Sequence, residues 1–216
     1  MSLLFNSSLG TTTITQPPSG VSRWTFNDAD TSGSTATDVW GGFDGTINGA
    51  TTGVSGANQT YTTNEAYDLD AVDDNVVVNG GTGVGPGELA LSLWVNTTQS
   101  LSNNNAGLMV RDDGNFSSGA YQLLLDFAGP NVDGGLRLNS PNTNGLFSSV
   151  AVNDGAWHHI VGQFGSSANE IYIDGSLDNS DSDGNTPSTA LYDLAMGGGL
   201  LESHYGGRID DARIYN

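Results

Sequence analysis

The chain predicts an all-β fold of antiparallel strands, and three observations carry that prediction. Glycine is abundant, at 31 of 216 residues, and no window has strong helix-forming character. Apolar and polar residues alternate with a period of two in several short runs, the pattern of half-buried strands. Asp-Gly, Asn-rich and Gly-rich segments separate those runs and read as turns. A chain of this length can bury one sizeable core, and an all-β sandwich of this size can form a single domain.

Taken in order, residues 1–20 are rich in Ser and Thr and include Pro17-Pro18, so they read as a lead-in or linker with room for one added strand. Residues 21–216 read as the domain, with no internal repeat and no further break. Val21–Phe26 is the first strand, and Asn27 to Asn58 reads as loop with at most a short strand at Thr46–Asn48. Tyr67–Leu69 and Val76–Val78 flank an acidic turn at 70–75. Leu89–Thr97 is the clearest central strand: Leu89, Leu91, Leu93 and Val95 line one face, and Ala90, Ser92, Trp94 and Asn96 the other. Gly107–Arg111, Tyr121–Asp126, Gly135–Leu138 and Phe147–Val150 continue the meander. Trp157–Phe164 and Glu170–Ile173 then form a hairpin, and Asp174-Gly175 reverses the chain into Ser176–Asn179. Asp193–Met196 and Arg208–Tyr215 close the fold.

Charge narrows the range of partners. Five arginines and no lysines face 20 Asp and 4 Glu, for a formal charge of −19. Such a surface repels nucleic acid and anionic membranes. It suits salty water, and short carboxylates in Gly/Asn loops also suit calcium. No apolar run reaches the roughly 18 residues of a membrane span. Met1–Leu9 is too short for a signal peptide and has no basic start, so an export signal is expected outside this sequence. With no cysteine, nothing reports on redox compartment.

Several segments share a pattern. "D-G-x-W-H-H-I … I-Y-I-D-G" spans 154–175, and further segments lie at Asp38–Thr46, Ala66–Asp74, Leu91–Val95 and Gly207–Asn216, the last containing Ile-Asp-Asp-Ala-Arg-Ile-Tyr-Asn. In this order they resemble the laminin-G-like (concanavalin A-like) jelly-roll family. The resemblance implies an antiparallel jelly-roll β-sandwich of two sheets, of the concanavalin A-like lectin/glucanase type. It also implies a structural calcium ion (Ca2+) near the last strand, with ligands drawn from Asn27, Asp28, Asp38, Gly41 (through its carbonyl), Asp44 and Asp210. The family commonly has Asp where Asn27 stands, which lowers the charge of that set. On simple alternation, Asp210 shares a face with Ala212 and Ile214, and a carboxylate there needs a metal or backbone N–H partners. Asp211 shares the other face with Arg213, as a surface pair worth little.

Other candidates come from the loops. Arg111-Asp-Asp-Gly-Asn115 is oxygen-rich: Asp112 and Asp113 can hold calcium that accepts two sugar hydroxyls, or the segment is a hydrogen-bonded Asx turn. Asn105 and Asn115 would hydrogen-bond the sugar, and Phe116, Trp40 and Tyr205 would cover its apolar face. Asp73-Asp74 reads as a turn cap. His158 and His159 point to opposite faces of one strand and cannot share an ion. Glu65, Glu88, Glu170 and Glu202 are never two or four apart, so the paired-Glu pattern of jelly-roll glycosidases is absent. The expectation is a non-catalytic, calcium-containing carbohydrate-binding module. It would be monomeric within a larger extracellular or surface protein such as an adhesin, and its partner a glycan. The alternatives are a structural spacer or a peptide-binding domain.

Overall fold

The computed structural model describes residues 20–57, 64–80, 87–101, 104–115, 120–126, 133–141, 145–187, 192–199 and 202–216. Its strands are β1 (Ser22–Trp24), β2 (Thr31–Ser32), β3 (Thr35–Ala36), β4 (Gly45–Asn48), β5 (Thr51–Ser55), β6 (Glu65–Asp70), β7 (Asn75–Val78), β8 (Leu89–Asn96) and β9 (Asn105–Arg111). They continue as β10 (Tyr121–Asp126), β11 (Gly135–Asn139), β12 (Leu146–Phe147), β13 (Trp157–Phe164), β14 (Asn169–Ile173), β15 (Ser176–Ser180), β16 (Leu194–Met196) and β17 (Gly206–Tyr215). Among the described residues these form two antiparallel sheets. The eight-stranded sheet has the order β15-β14-β13-β8-β17-β6-β5, with β1 also paired to β17. The nine-stranded sheet has the order β12-β11-β10-β9-β16-β7-β4-β3-β2.

One apolar core lies between the sheets. Leu89, Leu91, Leu93 and Val95 of β8 meet Leu123, Leu125, Leu136 and Leu138 of β10 and β11 in one buried cluster, as the alternation in β8 requires. Each such side chain contributes about 1.5–3 kcal/mol by leaving water. Asp174 and Gly175 both have positive φ, 51° and 79°, so the expected tight reversal is a type I′ turn matched to strand twist.

Two expectations change. The stretch expected to be loop at 27–58 contains β2, β3 and β5. All three are short, and β2 and β5 are edge strands; β5 alternates exposed and half-exposed residues and has no apolar stripe to announce it. The second change is in β17. Its register against β8 shifts between Asp210 and Arg213, and Asp211 takes a left-handed conformation, φ 50°. This bulge sits where one edge of β17 changes partner, from β6 at Gly206–Ile209 to β1 at Ala212–Ile214. Ile209, Ala212 and Ile214 therefore all face the core, while Asp210 lies opposite Trp94, away from Ala212 and Ile214. Nor is the Asp211–Arg213 pair at the surface. Asp211 is 2% exposed and accepts from both Arg23 Nε (2.7 Å) and Arg213.

Candidate functional site

The site is built on three adjacent strands of the nine-stranded sheet. Val76, Val78, Leu194 and Met196 point into the core, so Val77 and Ala195 point out. Register places Ala195 opposite Val77 on one side and Val110 on the other, giving a row of small apolar side chains on the outer face of the sheet, with Val110 itself buried. Asn75, Asp112, Asp193 and Gly199 surround this row and enclose with it a shallow depression of about 120 Å³. Gly107 lets the 197–199 segment approach β9, since a Cβ there would stand 2.8 Å from the Gly198 carbonyl oxygen.

The polar groups around the depression are held in place. Asp112 Oδ1 accepts from the Gly114 N–H (2.7 Å), and its Oδ2 accepts from Gln122 Nε2 (3.0 Å). The same Gln122 amide donates to Glu202, and Gln122 Oε1 accepts from Asn139 Nδ2 at 3.1 Å. Asp193 Oδ1 accepts from the Gly80 N–H (2.7 Å), and Asn75 Oδ1 from Asn48 Nδ2 (2.7 Å). Among the described residues the lining contains acids and an amide but no cation. It therefore suits a neutral, hydroxyl-rich group and opposes an anion.

Sequence reasoning found Asp112 and missed Asn75, Asp193, Gln122, Asn139 and Glu202. Gln122 carried a signal, as a polar residue in the otherwise apolar run Tyr121–Leu125. Glu202 carried none, because it reaches Gln122 from a loop 80 positions away.

The other expected sugar contacts scatter. Asn105 starts β9 opposite Asp126, and its carbonyl accepts from the Ser203 N–H. Asp113 Oδ1 accepts from the Asn115 N–H (3.0 Å), so residues 112–115 form the hydrogen-bonded turn weighed above. Phe116 lies outside the described residues, as do residues 1–19 of the lead-in. Trp40 lies on the eight-stranded sheet, 5.7 and 5.8 Å from the guanidinium carbons of Arg23 and Arg213. Tyr205, expected on a rim, is fully buried, and burial raises its pKa.

The residues expected around calcium fall into separate groups. Asp38 organises its own loop: Oδ1 accepts from the N–H groups of Arg23 (2.8 Å), Trp40 (3.0 Å) and Gly41 (3.0 Å), and Oδ2 from Phe43 (3.1 Å). Asp44 Oδ1 accepts from the Asp38 N–H at 2.9 Å. Asn27 Oδ1 accepts from the Glu65 N–H (3.3 Å), the Asp28 N–H donates to Glu65, and Asp210 Oδ2 accepts from the Ala57 N–H (2.9 Å). Asn27, Asp28 and Asp210 thus all contact the ends of the β5–β6 hairpin. No three of Asp28, Asp38, Asp44 and Asp210 bring ligand atoms within 4.8 Å of one another. Among the described residues Asp70, Asp73 and Asp74 do, and they are close enough to share a cation. Asp74 Oδ2 also accepts from the Asp70 N–H (3.0 Å). Burial and the Asp70 and Asp73 charges raise the Asp74 pKa.

The histidines face opposite ways. His158 hydrogen-bonds Asp174 (2.8 Å) and Asp154 (3.1 Å), which raise its pKa against the lowering effect of burial. His159 hydrogen-bonds Ser92 (2.9 Å) and lies against Trp94; burial, helped by Arg213, lowers its pKa to about 4.

A family model described as "Concanavalin A-like lectin/glucanases superfamily" matches residues 70–216. No curated protein matches the chain. Among solved structures, the chain is similar to domain 4 of AbnA, a GH43 extracellular arabinanase from Geobacillus stearothermophilus, in complex with arabinotriose. That likeness has a TM-score of 0.68 at 19% identity and covers 91% of this chain and 92% of that one. The botulinum neurotoxin serotype D binding domain is similar at a TM-score of 0.63 and 14% identity, over 91% of this chain and 47% of that one. The Trypanosoma rangeli sialidase, in complex with the inhibitor DANA, gives 0.60 and 12%, over 90% of this chain and 30% of the sialidase. At these identities the likeness is one of fold.

Proposed function

Because the chain belongs to the concanavalin A-like lectin/glucanases superfamily, we propose that it is a non-catalytic carbohydrate-binding module whose sugar site is the depression over β7, β9 and β16. The observation that carries this reading is the apolar row Val77–Ala195–Val110 set among fixed hydrogen-bonding groups. The C–H face of a sugar ring packs on such a row, while its hydroxyls reach Asn75, Asp112 and Asp193. Support also comes from the similar arabinanase domain, whose structure holds arabinotriose.

Glycoside cleavage needs an acid and a second carboxyl flanking the scissile bond. Asp112 and Glu202 meet at one Gln122 amide and Asp193 is held by the Gly80 N–H, so these carboxyls are fixed in hydrogen bonds, which supports a binding role. A shallow site gives modest affinity, so adhesion requires several copies of the module in an exported or surface-displayed chain. Calcium in this reading is structural, bound through the clustered Asp70, Asp73 and Asp74.

A glycan array in calcium and again in chelator tests the proposal, with Asp112→Ala/Asp193→Ala as the site variant. Wild type should bind in both conditions and the variant in neither. Undiminished binding by a folded double variant would move the site elsewhere. Absence of any glycan ligand for wild type would leave the spacer reading.

A further inference from the structure

Arg111 ends β9 on the inner face of the nine-stranded sheet, opposite Leu194 on one side and Tyr121 on the other. It is 1% exposed, and its guanidinium carbon stands 5.3 Å from the centre of the Tyr121 ring. Stacking of this kind satisfies the flat face of the cation but not the N–H groups around its edge. Nε, Nη1 and Nη2 are all buried, and none meets a hydrogen-bond acceptor among the described residues. Asp112, the adjacent carboxylate, is engaged with Gly114 and Gln122. The contrast with Arg23 and Arg213 is direct, since both of those pair with Asp211. An arginine does not shed its proton in a protein, so burial leaves this charge and its donors to be met from beyond the described residues.

We propose that the Arg111 guanidinium binds a small inorganic monovalent anion of the halide class, chloride in ordinary solution. Burial selects for size, since a side chain exposed to 1% does not admit a carboxylate carried on a sugar or a peptide. One guanidinium balances one negative charge, and a spherical ion accepts from several N–H groups without directional lone pairs. The net charge of −19 repels anions at long range, so occupancy should rise as salt screens that field. An acidic chain suited to salty water thereby gains a buried counter-ion from the same salt.

Bromide is the probe. Crystals of the wild-type protein grown or soaked in sodium bromide should show an anomalous peak within hydrogen-bonding distance of the Arg111 nitrogens. In solution, the melting temperature should rise by roughly 4 °C for each tenfold increase in bromide above the dissociation constant, relative to gluconate at equal ionic strength. Arg111→Met keeps the length of the side chain and removes the charge, and it should abolish that bromide-specific difference. A crystal with no peak at Arg111, or a folded Arg111→Met protein with an unchanged bromide response, overturns the proposal. Should Arg111→Met fail to fold, the wild-type diffraction experiment decides alone.

Discussion

On the outer face of the eight-stranded sheet, Asp211 lies between Arg23 and Arg213 with the Trp40 ring over both guanidinium groups, and all three charged residues are at most 7% exposed. On the outer face of the nine-stranded sheet, Asp112 and Asp193 instead edge an open depression with Val77, Val110 and Ala195 between them. In the first group one carboxylate is shared by two guanidinium groups of the chain, and the cluster joins β1 to β17 across the bulge. The second has acids oriented by neutral donors, with no cation in the lining among the described residues. Paired, sealed charge holds a fold together, whereas oriented charge beside an apolar floor is free to meet a ligand.

Breaking the first region should have the largest effect. Asp211→Ala leaves two arginines buried together and should cost about 3–5 kcal/mol of stability in denaturant titration. A cost below that of an ordinary surface substitution would show that the cluster is not what joins β1 to β17.

The pH response comes next. The folded pKa of His159 is about 4, depressed from 6.5 by burial, so the unfolded chain binds its proton more readily. Stability from this residue is complete above pH 6.5 and falls as pH drops toward 4, by about 3 kcal/mol in all. His158 has the opposite sign: its raised pKa adds stability below pH 6.5 that is lost as pH rises through the folded value, so it partly offsets the loss. His159→Gln should flatten the stability profile between pH 4 and 6.5 if His159 is its main source.

In the second region effects should appear in binding more than in folding. Asp112→Asn keeps the shape of the side chain and should weaken glycan binding by about tenfold, equivalent to about 1.4 kcal/mol, by titration calorimetry. An equally large loss of stability would return Asp112 to a structural role. Smallest of all, Asp113→Ala removes the hydrogen bond accepted from the Asn115 N–H in an exposed turn and should change stability by about 0.5 kcal/mol, with glycan binding intact. A large binding loss there would shift the site from the depression to the 112–115 turn.

Much of the sandwich was legible in the chain because strand alternation is a local property. Leu89–Asn96, Tyr121–Asp126 and Trp157–Phe164 each carry an apolar stripe, and Asp174-Gly175 carries its own turn conformation. The polar edge strand β5 was not legible, since its residues contact solvent on alternate positions and differ little from a loop. The site was legible only at Asp112, whose loop composition marked it. Asn75 and Asp193 looked like ordinary strand-end residues.

By itself, then, the sequence determined the fold class, the central strands, the acidic surface and the family segments, because each depends on residues close together in the chain. Tertiary structure decided which charged groups meet. The bulge at Asp210–Asp211 arises where β17 exchanges one partner strand for another, and it turns Asp210 away from the face that simple alternation assigned. Glu202 joins Asp112 at Gln122, and Asp211 joins Arg23 from 188 positions away, because sheet order brings distant loops and strands together. Periodicity cannot encode such meetings, since it records which face a side chain occupies and not which strand lies beside it.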